Sequence, residues 1–141
     1  MDEKQLAEEL RTAVGQLVRA VRVIDTMAPG EAAVLGYLDR SGPMTTADVA
    51  HERGVSHQSA AKAVKELLQR GFVRAEAHPS DGRKNLLHIT PAGTDRLDEE
   101  RHRRAALLGT AIADVLSAEE RETLAATLPL LSRLTDHLRR R

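Results

Sequence analysis

Residues 45–93, TTADVAHERGVSHQSAAKAVKELLQRGFVRAEAHPSDGRKNLLHITPAG, hold the pattern around which the rest of this chain is arranged. Thr45 followed three residues later by Asp48 has the spacing of a capping box and opens a helix that Gly54 stops. Ser56 caps a second helix, whose apolar positions Ala60, Val64, Leu67 and Leu68 fall at helical spacing and predict an inward face. Gly71 supplies the left-handed residue that ends it. Two helices joined by the tight turn Gly54-Val55-Ser56 form a helix-turn-helix pattern. After Gly71 the period changes. Phe72–Ala77 and Leu86–Ile89 are short extended runs flanking the polar stretch His78–Asn85, which predicts a β-hairpin.

On the N-terminal side, Leu6, Leu10, Val14, Leu17, Val21 and Ile24 recur at steps of 4, 4, 3, 4 and 3, one stripe of a long helix. Pro29 ends or restarts it, and Glu31–Leu38 reads as a short second helix before the turn cluster Ser41-Gly42-Pro43. On the C-terminal side, Thr90-Pro91 gives N-cap then proline, and Ala92–Val115 reads as a long helix. Ser117 and Glu120 repeat the capping-box spacing ahead of a leucine stripe, Leu124, Leu128, Leu131, Leu134 and Leu138. Pro129 lies inside that stripe and predicts a kink or break near Thr127 or Leu128. The expected fold is mainly α with a small β-hairpin wing: four helices, the hairpin and two helices. Apolar stripes at both termini are a liability in a monomer and predict an obligate homodimer that buries them.

With 141 residues, 41% hydrophobic and 30% charged, the chain has room for one domain with helical extensions, which excludes a TIM barrel or a full dinucleotide-binding enzyme. No stretch approaches the roughly 18 consecutive apolar residues of a membrane span, and the N-terminus is acidic, so the sequence predicts a soluble, unprocessed cytoplasmic protein without membrane partners. The absence of cysteine removes disulfides, thiolate zinc sites, iron–sulfur clusters and thiol redox sensing. Basic and acidic residues balance at 21 each, so attraction to nucleic acid must come from local clustering. Such clustering is present: between Arg53 and Lys84 seven basic residues face three acids, and three of the chain's four lysines (Lys62, Lys65, Lys84) fall there.

The helix-turn-helix, the wing Asp81-Gly82-Arg83, and Leu87 with Ile89-Thr90-Pro91-Ala92-Gly93 together resemble the MarR family of dimeric winged helix-turn-helix transcription regulators. The resemblance covers most of the chain. Ala60, Ala61 and Ala75 depart from the residues common in that family at the corresponding positions. What the resemblance implies is one domain over residues 1–141, with 28–91 as the winged helix-turn-helix and 1–27 and 92–141 as dimerisation helices. It further implies a sequence-specific regulator of double-stranded DNA, a repressor on a pseudo-palindromic operator, released by a small aromatic or phenolic acid.

In a helix-turn-helix the first turn of the second helix points into the major groove. Here it reads Ser56-His57-Gln58-Ser59. Gln58 has the amide that pairs bidentately with adenine, His57 and Ser59 are more permissive partners, and Lys62 and Lys65 follow on the helix. Ser56 has the hydroxyl of a helix cap, which leaves a backbone N–H for a phosphate. Arg83 suits a narrow, electronegative minor groove, with Asp81 as its orienter and Lys84 adding phosphate attraction.

For a ligand, Arg19, Arg22, Met27, Tyr37 and Met44 are the candidate lining residues: a guanidinium pairs a carboxylate while Tyr and Met meet a ring. The six histidines (51, 57, 78, 88, 102, 137) lack the close spacing that puts two metal ligands on one helix face, and no metal or cofactor is expected, an inter-helix pairing of His102 with Glu99 being the one arrangement left open. No phosphate loop, nucleophile elbow or apolar carboxylate pair is present, so no enzymatic activity is expected. The alternative to a DNA reader is a winged helix used only for protein contact or dimerisation. Neutral net charge favours that alternative, and the basic span between Arg53 and Lys84 argues against it.

Overall fold

Side-chain caps and glycines set most element boundaries in the computed structural model, which describes residues Met1–Arg141. In chain order these are α1 (Glu3–Arg22), α2 (Pro29–Ser41), α3 (Thr46–Arg53), α4 (His57–Gln69), β1 (Val73–Ala77), β2 (Asn85–Ile89), α5 (Pro91–Val115) and α6 (Ala118–Arg139). Thr45 and Asp48 form the reciprocal capping box at the start of α3. At its far end Gly54 (φ +65°) and Val55 donate to the carbonyls of His51 and Ala50, a Schellman closure. Ser56 follows at once as the N-cap of α4, accepting from the Ser59 N–H at 3.1 Å. The cap of one helix therefore abuts the cap of the next, which fixes the direction of α4 relative to α3. Gly71 (φ +75°) and Phe72 close α4 in the same way on Leu68 and Leu67. The Phe72 N–H is thereby committed to the helix, and β1 starts at Val73 rather than at Phe72.

The hairpin is antiparallel from Val73 opposite Ile89 to Ala77 opposite Asn85. Met44 adds a single bridge to Leu87, exchanging both backbone hydrogen bonds at 2.8 and 3.3 Å. Beneath it lies a core of Val34, Leu35 and Leu38 from α2, Val49 from α3, Ala60, Val64 and Leu67 from α4, Leu87 from β2 and Leu97 from α5. Tyr37 and Phe72, the two aromatic residues of the chain, pack half-buried against it. Leu68, expected inward, is 38% exposed. Its neighbour Leu67 takes the core position, and one residue further along a helix turns the side chain by about 100°.

Three further expectations are corrected. The second helix is longer than Glu31–Leu38, because Pro29 occupies its first turn with φ already set for a helix and the chain continues helical to Ser41. α6 passes through Pro129 without a break. The proline removes only the donor for the Ala125 carbonyl, and Ala125 is exposed, which leaves that group open to solvent. α1 stops at Arg22, leaving Ile24, the last member of its predicted stripe, in the connection to α2.

The chain divides into two compact units, Met1–Arg104 and Ala105–Arg141. In the first, α5 is tied down by polar chemistry. Glu100 is 1% exposed and accepts hydrogen bonds from the Thr26 N–H (3.1 Å), the Thr26 hydroxyl, Arg96 (3.1 Å) and Arg103 (3.0 Å). Burial pushes its carboxyl upward, but the Thr26 hydroxyl and N–H together with Arg96 outweigh burial and bring it down to about 2. Next to it Arg104 grips Asp25 with two bonds of 2.8 and 2.7 Å. The first turn of α5 sits directly on the end of α4: Thr90 donates to the Gly71 and Phe72 carbonyls at 2.6 and 3.1 Å and caps Gly93 at 3.1 Å. In the second unit the Ser117–Glu120 capping box opens α6, and Arg121 donates to the Ala113 carbonyl at 3.1 Å. No residue of α1 or of α6 is buried; Leu6, Leu17, Leu128 and Leu134 are each at least half exposed.

Candidate nucleic-acid interface

Burying Ala60, Val64 and Leu67 turns the opposite side of α4 to solvent. His57, Gln58, Ser59, Lys62 and Lys65 are all exposed, and Ser56, Gln58, Ser59, Lys62 and Lys65 line one open concavity along the helix. Ser56 spends its hydroxyl on the Ser59 N–H, the capping role that its position predicts. The arginine–carboxylate pairs of this region are Arg70 with Glu31 and Glu66, Arg74 with Glu76, and Arg83 with Asp81, and His88 Nε2 lies 2.9 Å from the Glu76 carboxylate. Lys62, Lys65 and Lys84 take part in none and are exposed, and Lys84 is close enough to Asp48 and Asp81 to help hold both carboxyls down. The 2.8 Å pair of Arg70 with buried Glu31 anchors the C-terminal end of α4 to the first turn of α2.

The hairpin tip is built from its own backbone and one carboxylate. His78 N–H donates to the Lys84 carbonyl and Lys84 N–H to the Asp81 carbonyl, both at 3.0 Å. Asp81 Oδ1 accepts from the Arg83 N–H at 3.1 Å and from its Nε at 3.2 Å, with Nη2 3.5 Å from Oδ2. The Arg83 guanidinium and backbone N–H hold the Asp81 carboxyl below the ordinary carboxylate range. Arg83 is nonetheless 90% exposed along its side chain, against 30% for Asp81. One fork edge is oriented by the carboxylate while the rest faces solvent.

Helix and wing meet in one groove of about 390 Å³, lined by His57, Ala61, Lys65, Leu68, Arg83 and Lys84. This accounts for the exposure of Leu68. Thr46 and Asn85 line it as well. Neither stands out in the sequence, since Thr46 reads as an ordinary first-turn residue and Asn85 as part of a polar loop.

A second concavity, of about 570 Å³, lies in the first unit among α1, α2, α3 and α5. Of the residues proposed to line a ligand pocket, Arg22, Met27 and Tyr37 are here. Arg19 lies outside it on α1, its guanidinium folded back toward Gly15, and Met44 is a core residue bridged to Leu87. Four more arginines join the lining: Arg40, Arg53, Arg101 and Arg104. Arg104 is neutralised by Asp25 and Arg101 by Asp39, while Arg40 stacks 5.6 Å over the Tyr37 ring. These residues are scattered from position 22 to position 104, which is why local spacing does not reveal them. His102 and Glu99 are both exposed, and no group of three or more His, Asp or Glu side chains is arranged to hold a metal ion. No helix is long and apolar enough to cross a membrane.

Comparison with known proteins gives the same reading. The sequence profile of the MarR family matches residues 25–84. An HTH-type transcriptional regulator of Mycobacterium tuberculosis is 28% identical over 137 residues, covering 95% of each chain. A transcriptional regulator of Pseudomonas aeruginosa PA01, known from a crystal structure, is 30% identical with 95% of each chain covered and a TM-score of 0.81. The PcaV transcriptional regulator of Streptomyces coelicolor, solved with its natural ligand, is 26% identical over 96% of this chain and 93% of its own, with a TM-score of 0.55. A helix-turn-helix with its reading face bare, a wing tipped by an oriented arginine and similarity along nearly the full length make this chain a member of the MarR family of winged helix-turn-helix proteins, a DNA-binding transcriptional regulator and not an enzyme.

Proposed function

We propose that the chain acts in the cytoplasm as a homodimeric, sequence-specific repressor that occupies a pseudo-palindromic operator. Residues 28–91 read the DNA and the helices in 1–27 and 92–141 pair the copies. The observation that carries the reading is the shared groove, in which His57 and Lys65 of α4 and Arg83 and Lys84 of the wing line one surface. A recognition helix in the major groove and a wing in the flanking minor groove need that adjacency. Exposed leucines on α1 and α6 supply the apolar area that a second copy covers.

The test is binding to the duplex upstream of the protein's own gene against a scrambled duplex, over a salt series. Preferential binding with a steep log–log slope supports the reading. Equal, weak binding to that duplex, to the scrambled one and to every pool of a random-sequence selection leaves a protein-contact module instead. Arg83→Ala is expected to weaken binding and reduce the slope by about 1 per subunit without lowering thermal stability. An unchanged slope removes Arg83 from the interface. Gln58→Ala is expected to lose roughly 1–3 kcal/mol of discrimination at one base position of each half-site, read by comparing the sequences that parent and variant select.

Release by a small organic anion is the companion proposal, supported by the arginines of the second concavity. Arg22 and Arg53, which have no carboxylate partner, suit a carboxylate, and Tyr37 with Arg40 over its ring forms an aromatic wall of the concavity. Benzoate is a suitable first probe: it is expected to raise the midpoint of thermal unfolding and weaken operator binding in the parent, and to do neither in Arg22→Ala.

A further inference from the structure

The wing tip contains one side chain whose bonding neither the hairpin nor the DNA reading uses. His78 closes the loop through its backbone, and its imidazole turns inward over the same loop: Nδ1 accepts from the Ser80 N–H at 3.1 Å and from the Asp81 N–H at 3.2 Å. A nitrogen that accepts carries no proton, so this bonding requires the tautomer that bears its proton on Nε2. Side chains of Asn and Asp often hold backbone amides two and three residues ahead in this manner; here an imidazole does it.

The order of dependence along the loop is short. The Asp81 N–H is fixed by His78, the Asp81 carboxylate is fixed on that backbone, and the carboxylate orients the Arg83 N–H and Nε. Pro79 has no N–H to offer, so Ser80 and Asp81 present the first free donors after His78. Gly82 has no side chain to stiffen the tip, and an added Cβ there meets nothing within 4 Å. Without the imidazole, residues 79–82 keep the Lys84 N–H bond to the Asp81 carbonyl and the bonds of the Asp81 carboxylate to Arg83, but the Ser80 and Asp81 N–H groups lose their acceptor. We infer that His78 is a positioning residue for DNA recognition: its Nδ1 clamps the loop backbone so that Asp81 presents Arg83 in one orientation to the minor groove.

The inference rests on Arg83 as a DNA contact, and the experiment separates the two. Operator affinity is measured for the full-length parent, His78→Ala, His78→Asn, Arg83→Ala and the double variant His78→Ala/Arg83→Ala, with thermal midpoints alongside. His78→Ala is expected to lower affinity three- to tenfold with an unchanged midpoint. His78→Asn, whose amide oxygen can accept the same two N–H groups, is expected to restore most of it. In the Arg83→Ala background, removing His78 is expected to cost less than twofold, since there is nothing left to position. Equal losses with and without Arg83, or no rescue by asparagine, overturn the inference. Should Arg83→Ala bind as the parent does, the Arg83 reading fails first. Nitrogen-15 relaxation of the Arg83 Nε–H in the free protein then decides whether His78 orders that side chain. Greater mobility in His78→Ala upholds the clamp, and equal mobility removes it. Imidazole nitrogen shifts give an independent check, with Nδ1 expected to be of the acceptor type and Nε2 of the protonated type.

Discussion

Gly93→Ala is expected to destabilise the winged helix by roughly 3 kcal/mol or more. A Cβ at this position lies 2.1 Å from the Phe72 carbonyl oxygen and 2.9 Å from Ile89 Cγ1. The nearest atom belongs to the backbone, and that carbonyl is already held by the Thr90 N–H. Relief therefore requires α5 to lift off the end of α4, breaking the Thr90 bonds to Gly71 and Phe72. Because the same junction ends α4 and begins β1, such a shift also disturbs the angle between reading helix and wing. Denaturant unfolding measures the loss directly. Stability within about 0.5 kcal/mol of the parent would show that the junction is plastic.

Glu100→Ala is expected to cost about 3 kcal/mol, because it leaves the Thr26 N–H, Arg96 and Arg103 without the acceptor that now satisfies them. Half-exposed Arg103 recovers water and limits the loss. The same carboxylate gives a pH signature. Its folded value of about 2 lies below the ordinary 4.5, so the folded state binds the proton more weakly than the unfolded state. The stabilisation is complete above about pH 4.5 and drains away as pH falls toward 2. Glu100→Gln lacks this term. Its stability deficit relative to the parent is therefore expected to be largest near neutrality and to shrink across that interval in acid titrations followed by circular dichroism. A deficit independent of pH would mean that the carboxylate charge contributes nothing.

Much of the reading apparatus is legible in the sequence because its determinants are local. Thr45 with Asp48, Ser56 ahead of its helix, and Gly54 and Gly71 at the helix ends each act over three or four residues, and the structure has all of them. The Asp81–Arg83 pairing is likewise separated by two residues. Errors arise where a neighbour competes for the same role. Phe72 looks like strand until its N–H is seen to close α4, and Leu68 looks buried until Leu67 takes the core. Long-range features leave no local trace. Thr26 and Glu100 meet across 74 residues, and the arginines of the second concavity come from four helices. Gly93 can be picked out as part of a motif, but its reason, a backbone oxygen above its Cα, exists only in three dimensions.

The contrast between the paired arginines of α5 and the unpaired lysines of α4 and the wing has one more consequence. Along α5, Arg96, Arg101, Arg103 and Arg104 each lie against a carboxylate, so that helix contributes little external field. The bare ammonium groups of Lys62, Lys65 and Lys84 all lie on the reading side. Within the winged helix the unpaired lysine charge thus lies on the reading side, and a polyanion attracts that side before any contact forms although the chain carries no net charge. Retention on an immobilised polyanion is therefore expected to persist at the isoelectric point of about 7.0, where a protein of the same composition with its charges evenly spread would pass through.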